Sequence, residues 1–138
     1  QLSLLRHAQA DNPLPDQPDW DRPLTRRGQQ DATEMARRMK AGAPAPQLIL
    51  SSPAIRARQT AEIFAKAFNK ARLQFDEALY LASPKQMLDT IQKQGGVASH
   101  LLIVGHNPGI SELADQLSAN RRIDGMPTAS VVLTTCHR

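Results

Sequence analysis

The sequence predicts an α/β domain, with helices packed on both faces of a mostly parallel sheet as a three-layer α/β/α sandwich. Three observations lead there. Apolar runs of strand length recur along the chain, stripes of apolar residues at helical spacing fall between them, and proline- and glycine-containing segments punctuate the two. The length of 138 residues and a 41% hydrophobic content fit a single domain, 1–138, without internal repeat or linker.

The elements follow in order. Leu2-Ser3-Leu4-Leu5 is a first buried strand, and Gln1 falls at its opening, so a native start trimmed from the chain is expected. The proline-rich stretch Asn12 to Pro23 reads as a loop. Ala32, Met35, Ala36 and Met39 stripe a helix that stops at Gly42. After the loop Ala43 to Pro46, Leu48-Ile49-Leu50 gives the second strand. Ser52-Pro53 then reads as N-cap and first position of a helix whose buried face is Ala57, Ala61, Phe64 and Phe68. A weaker strand spans Leu73 to Phe75. Ser83-Pro84-Lys85-Gln86 carries cap, N1 proline and capping-box glutamine, opening a helix through Met87, Leu88 and Ile91. His100 to Val104 is a strongly apolar strand. Ile110, Leu113, Ala114 and Leu117 stripe the next helix, and Ala129 to Leu133 closes the order as a last strand.

Composition narrows the function classes. Seventeen Lys and Arg against thirteen Asp and Glu leave a net charge of +4, which suits an anionic partner. Aromatics amount to only 4%, and no stacking set, zinc module or helix-turn-helix pattern accompanies the charge, so nucleic acid is not the expected partner. The single cysteine, Cys136, excludes an intramolecular disulfide framework and a Cys-rich zinc site. No apolar run approaches a membrane span and no leader pattern opens the chain, so a cytoplasmic protein without membrane contact is expected.

In such a sheet, the loops leaving the carboxyl ends of the strands line the ligand crevice. Arg6-His7 follows the first strand, Arg56 lies just inside the helix after the second, and His106 directly follows the strand ending at Val104. A cation at the end of an apolar strand is costly to bury unless an anion meets it. Two arginines and two histidines converging on one edge suit a phosphoryl group, whose charge spreads over three oxygens that guanidinium forks bind in pairs. A neutral histidine among them could attack phosphorus, and helix N-termini after Ser52 and Asn107 would add N–H groups. Taken singly, each signal has a plainer reading: Arg6-His7 as surface, Arg56 beside Arg58 as a solvated face, His106 as a turn residue. Arg26, Arg27, Arg37, Arg38 and Lys40 read as an exposed helix face, and His100 and His137 have no supporting context. Composition and periodicity thus stop at an anion-binding α/β domain.

Four blocks carry a resemblance. Leu5-Arg6-His7-Ala8, Arg22-Pro23-Leu24-Thr25-Arg26-Arg27-Gly28, Ser51-Ser52-Pro53-Ala54-Ile55-Arg56-Ala57-Arg58-Gln59-Thr60-Ala61 and Val104-Gly105-His106-Asn107-Pro108 together resemble the histidine phosphatase superfamily, the phosphoglycerate mutase-like group. They occur in family order over nearly the whole chain. The short length and the Arg-Pro-Leu-Thr and Gly-His-Asn-Pro blocks are most similar to the small bacterial phosphohistidine phosphatases, which act on phosphotransfer proteins of signalling relays. The resemblance implies a phosphoglycerate mutase-like fold, no metal or other cofactor, and catalysis by His7, Arg6, Arg56 and His106. His7 would be the nucleophile; Arg6, Arg56 and His106, with Asn107, would bind substrate.

Two departures stand out. Ala8 replaces the family's usual glycine. No carboxylate occupies Leu79-Tyr80-Leu81, where relatives carry a glutamate acid, leaving Glu77, Asp21 and Asp19 as candidates for a general acid. Weak acid chemistry fits a phosphoramidate, whose protonated imidazole leaves neutral, better than a sugar phosphate. The absence of long insertions predicts an open, shallow pocket that a phosphoprotein could approach. A phosphatase for small phosphorylated metabolites and a non-catalytic phosphate-recognition module are the competing expectations; the sequence leaves oligomeric state open.

Overall fold

The structure, a computed structural model, describes residues 1–96, 98–118 and 125–134; Cys136 and His137 lie outside the described residues. Among the described residues, five strands, β1 (Leu2–Arg6), β2 (Leu48–Ser51), β3 (Arg72–Phe75), β4 (Leu101–Gly105) and β5 (Val131–Thr134), form one sheet in the order β3-β2-β4-β1-β5. Four helices, α1 (Arg26–Gly42), α2 (Ile55–Ala67), α3 (Pro84–Gln94) and α4 (Gly109–Leu117), intervene, with short 3-10 turns at Asp19–Asp21 and Glu77–Leu79. The pairings β1–β4, β2–β4 and β2–β3 are parallel, and β5 joins the β1 edge antiparallel.

Side-chain alternation explains the three layers. Leu5, Ile49, Leu102 and Val104 point to one face and pack against Ala32, Ala36 and Met39 of α1 and Ala57, Ala61 and Phe64 of α2. Leu4, Leu48, Leu50, Leu101 and Ile103 point to the other, against Met87 of α3 and Ile110, Leu113 and Ala114 of α4. Strands covered on both faces have no polar side to show, hence their continuous apolar runs. The alanines let α1 and α2 approach the sheet closely, which is how a chain so poor in aromatics fills its core. Arg26, Arg27, Arg37, Arg38 and Lys40 of α1 are exposed, as the charge pattern predicts. Among the described residues, no helix is long and apolar enough to cross a membrane.

The helix starts need one correction. Ser83 and Gln86 form the expected capping box on α3. Ser52-Pro53, however, does not cap α2: the helix begins at Ile55 with Ala54 at its N-cap and no side-chain cap. The Ser52 hydroxyl instead meets His106. At α1 the cap is Thr25, whose Oγ1 accepts from the Gly28 N–H at 2.9 Å, while its own N–H donates to the Gln9 carbonyl at 3.0 Å. The Arg-Pro-Leu-Thr-Arg-Arg-Gly block therefore ties the chain after β1 to the start of α1. Gly28 is required there, because a Cβ would run into the Gln9 carbonyl oxygen. Gly28→Ala is expected to destabilise the fold by about 1–3 kcal/mol, read as a lower urea midpoint at unchanged m-value.

Candidate active site

The parallel register aligns the strand ends that matter. Arg6 lies opposite Gly105, and Ser51 opposite Val104, so the residues leaving β1, β2 and β4 emerge at one edge. The His7 N–H donates to the Gly105 carbonyl and the Ser52 N–H to the Val104 carbonyl, both at 3.1 Å, extending the sheet by one residue into the site.

Here His7, Arg56 and His106 are buried and Arg6 is partly buried. The His7 and His106 rings lie 5.1 Å apart between centroids, at 59°. His7 Nδ1 donates to the Ala8 carbonyl at 2.8 Å, which leaves the Nε2 lone pair of the neutral ring free. Ala8 itself is buried, does not adopt a positive φ, and gives its N–H to Thr60 Oγ1 at 3.0 Å, so alanine is accommodated where relatives have glycine. Arg6 Nη1 donates to the Met126 carbonyl at 2.9 Å. His106 Nε2 shares a 2.7 Å hydrogen bond with the Ser52 hydroxyl. The Asn107 side chain is committed to its own loop, donating to the Met126 carbonyl at 3.2 Å and accepting from the Ser111 hydroxyl.

Asp19 reaches this cluster; the other two candidate acids do not. Arg56 Nη1 donates to the Asp19 carbonyl and Nη2 to Asp19 Oδ2, each at 2.8 Å. Tyr80 O–H donates to the same Oδ2 at 2.6 Å, and Arg22 Nε to Oδ1 at 3.0 Å. Asp21 and Glu77 are exposed, and among the described residues no hydrogen bond or ion pair joins either side chain to the cluster. Trp20 packs on Tyr80 at 4.8 Å, and Tyr80 stands edge-on to His106 at 5.5 Å. The 3-10 turn at Asp19–Asp21 and Tyr80 thus pack against the cluster, through Asp19 on Arg56 and the Tyr80 ring on His106. Ser52, Arg22, Tyr80 and Trp20 are site residues that the spacing of charged residues missed. Arg22 and Ser52 sit inside the four blocks and Tyr80 in the Leu79-Tyr80-Leu81 stretch, which is the signal that could have found them.

The electrostatics follow from this packing. Burial holds His7 down to about 4; the Ala8 carbonyl pulls the other way, and Arg56, Arg6 and Arg22 add to the depression. Burial, then His7 and Arg56, hold His106 at about 3. Both rings are therefore neutral near pH 7. Burial pushes Asp19 up, but the hydrogen bonds from Tyr80 and Arg56 and the charges of Arg56 and Arg22 outweigh it and hold the carboxyl at about 2. Burial and then Asp19 raise the Tyr80 phenol.

Since the His7 ring titrates near 6.5 when unfolded and near 4 when folded, the native state binds fewer protons between those values. Stability contributed by the neutral ring is full above 6.5 and is lost as pH falls towards 4. In protein carrying 13C-labelled histidine, the His7 ring resonances are expected to stay flat down to about pH 5 and to move only near 4. A midpoint near 6.5 would contradict the buried, cation-flanked ring.

Three nitrogens in this cluster, Arg6 Nε, Arg56 Nε and His106 Nδ1, are buried without a hydrogen-bond partner among the described residues. Leaving such a group unpaired costs about 1–3 kcal/mol. Their gathering at one strand edge, with the cations unmatched except by Asp19, is what an anion-binding site requires. Among the described residues, no group of three or more His, Cys, Asp or Glu is placed to hold a metal ion.

Residues 2–80 match the model of the histidine phosphatase superfamily, branch 1. The chain belongs to that superfamily. An uncharacterized protein of Mycobacterium tuberculosis, Rv1276c, is 34% identical over 124 residues, covering 83% of this chain and 77% of its own length. Among solved structures, a SixA candidate phosphohistidine phosphatase from Agrobacterium tumefaciens is similar at 29% identity and a TM-score of 0.86, covering 94% of this chain and 87% of that one. The protein histidine phosphatase SixA in complex with tungstate shares the fold at 21% identity and a TM-score of 0.79, over 94% of this chain and 84% of its own. This member of the histidine phosphatase superfamily is thus a phosphatase by class and a small SixA-like member by shape.

Proposed function

We propose that this chain hydrolyses phosphohistidine on phosphotransfer proteins through a phosphorylated His7, working in the cytoplasm. In this reading Arg6, Arg56 and His106 hold the phosphoryl oxygens, and His7 Nε2 attacks phosphorus. The bond from phosphorus to the substrate ring nitrogen breaks, its electron pair stays on that ring, and the ring leaves neutral with the proton its other nitrogen already carried. Water then attacks phospho-His7. The P–Nε2 bond breaks, its pair returns to His7, and inorganic phosphate leaves with both of the water's hydrogens. Asn107 supports the substrate side of the site through the loop that it ties to Met126.

One observation carries the choice of substrate. The carboxylate at the cluster, Asp19, is ionised and clamped by Arg56, so it has no proton to give to an alkoxide. A protonated imidazole needs none. The test compares initial rates on a phosphohistidine-bearing protein with those on a panel of small phosphomonoesters. A kcat/KM at least tenfold higher on the protein, on the order that one specific contact supplies, is expected. Equal or better turnover of the panel would assign the chain to small metabolites, and binding of both without turnover would make it a phosphate-recognition module.

A further inference from the structure

Asp19 has a second property beyond being ionised: it is fixed. Its oxygens receive hydrogen bonds from Arg56, Tyr80 and Arg22, which belong to α2, the segment after the second 3-10 turn, and the loop before α1. Donors from three segments leave the carboxylate little freedom to swing. Its side chain nevertheless stays 44% exposed, whereas that of Arg56 is only 2% exposed. His106 is likewise 2% exposed and His7 7%. The carboxylate therefore stands on the outer side of the buried cluster, between the cations and solvent. A phosphoryl group held by Arg56 would thus lie next to this carboxylate, which is hydrogen-bonded to the same guanidinium.

We propose that Asp19 is a specificity-determining residue whose fixed negative charge favours phosphoryl donors with a cationic or N–H-bearing leaving group over those whose leaving group is anionic. The inference rests on the phosphohistidine reading and deepens it. In phosphohistidine the ring nitrogen remote from phosphorus carries the proton that lets the ring depart neutral. A carboxylate beside that N–H accepts its hydrogen bond and keeps the proton in place. A donor with a second phosphate or a carboxylate presents like charge to Asp19, and such juxtapositions discriminate against the wrong partner. Asp19 thus sorts substrates by charge without transferring a proton. Tyr80 is a positioning residue that holds the carboxylate in this place.

The experiment measures kcat/KM for the wild type, Asp19→Asn and Tyr80→Phe on a phosphohistidine peptide and on phosphoglycerate, a phosphomonoester that carries a carboxylate. Asp19→Asn is expected to lower the rate on the peptide roughly tenfold and to raise that on the ester, so that the preference between them collapses. Tyr80→Phe keeps the charge; it is expected to slow both substrates and to preserve their ratio. Equal losses on both substrates in Asp19→Asn would overturn the proposal, since Asp19 would then act only by orienting Arg56. A collapsed ratio in Tyr80→Phe would overturn it too, because the phenol rather than the charge would be selecting. Wild type that turns over phosphoglycerate but not the peptide defeats the phosphohistidine reading itself, a result distinct from an unchanged ratio in a wild type active on the peptide.

Discussion

His7→Ala is expected to lose essentially all phosphatase turnover, by roughly 10^4-fold or more, while keeping its fold. The substitution deletes Nε2, the free ring nitrogen left when Nδ1 donates to the Ala8 carbonyl. It also removes that one hydrogen bond, at a cost of about 1 kcal/mol, too little to unfold a domain whose core lies on both faces of the sheet. Circular dichroism and a melting curve alongside the rate separate loss of chemistry from loss of structure. Binding of inorganic phosphate is expected to persist, since Arg6, Arg56 and His106 remain. A variant that still turns over at more than a few per cent of the wild-type rate would remove His7 from the role of acceptor.

The second large effect is at Arg56. Arg56→Ala should lower kcat/KM by about 10^2–10^3, the cost of removing one preorganised donor group from a site of developing negative charge. Both KM and kcat are expected to suffer, because the guanidinium meets the phosphoryl group in the ground state and in the transition state. Arg56→Lys tests the mechanism more sharply. Lysine restores a positive charge but not the planar fork that now spans the Asp19 carbonyl and carboxylate at 2.8 Å each, so it should recover little of the loss. Full recovery by lysine would show that charge alone is needed and that the fork is incidental. The ion pair itself adds only modest stability, because Asp19 is half exposed.

How much of this was legible in the sequence depended on range. The strands and helices could be read from local patterns: alternation is absent in β1, β2 and β4 because both faces are covered, and the stripes on α1 and α4 mark single buried faces. The capping box on α3 is a four-residue signal and was equally readable. Arg6, His7, Arg56 and His106 could be proposed as neighbours because parallel strands bring their carboxyl ends to one edge. Ser52 was misread, since serine before proline satisfies capping rules but the helix starts only at Ile55, and the Ser52 hydroxyl also meets His106, 54 residues away. The pairing of Asp19 with Arg56 and with Tyr80 spans 37 and 61 residues. No local rule reports contacts between irregular segments at that distance.

Transfer of the phosphoryl group to His7 is decided by rapid acid-free quenching of the enzyme with a 32P-phosphohistidine protein, followed by peptide mapping of the label. Transient label is expected on the peptide containing Arg6 and His7, in a base-stable and acid-labile linkage, that decays at the rate of phosphate release and is absent from His7→Ala. Label on another residue, or phosphate release at the full rate with no labelled intermediate at any time point, would contradict it.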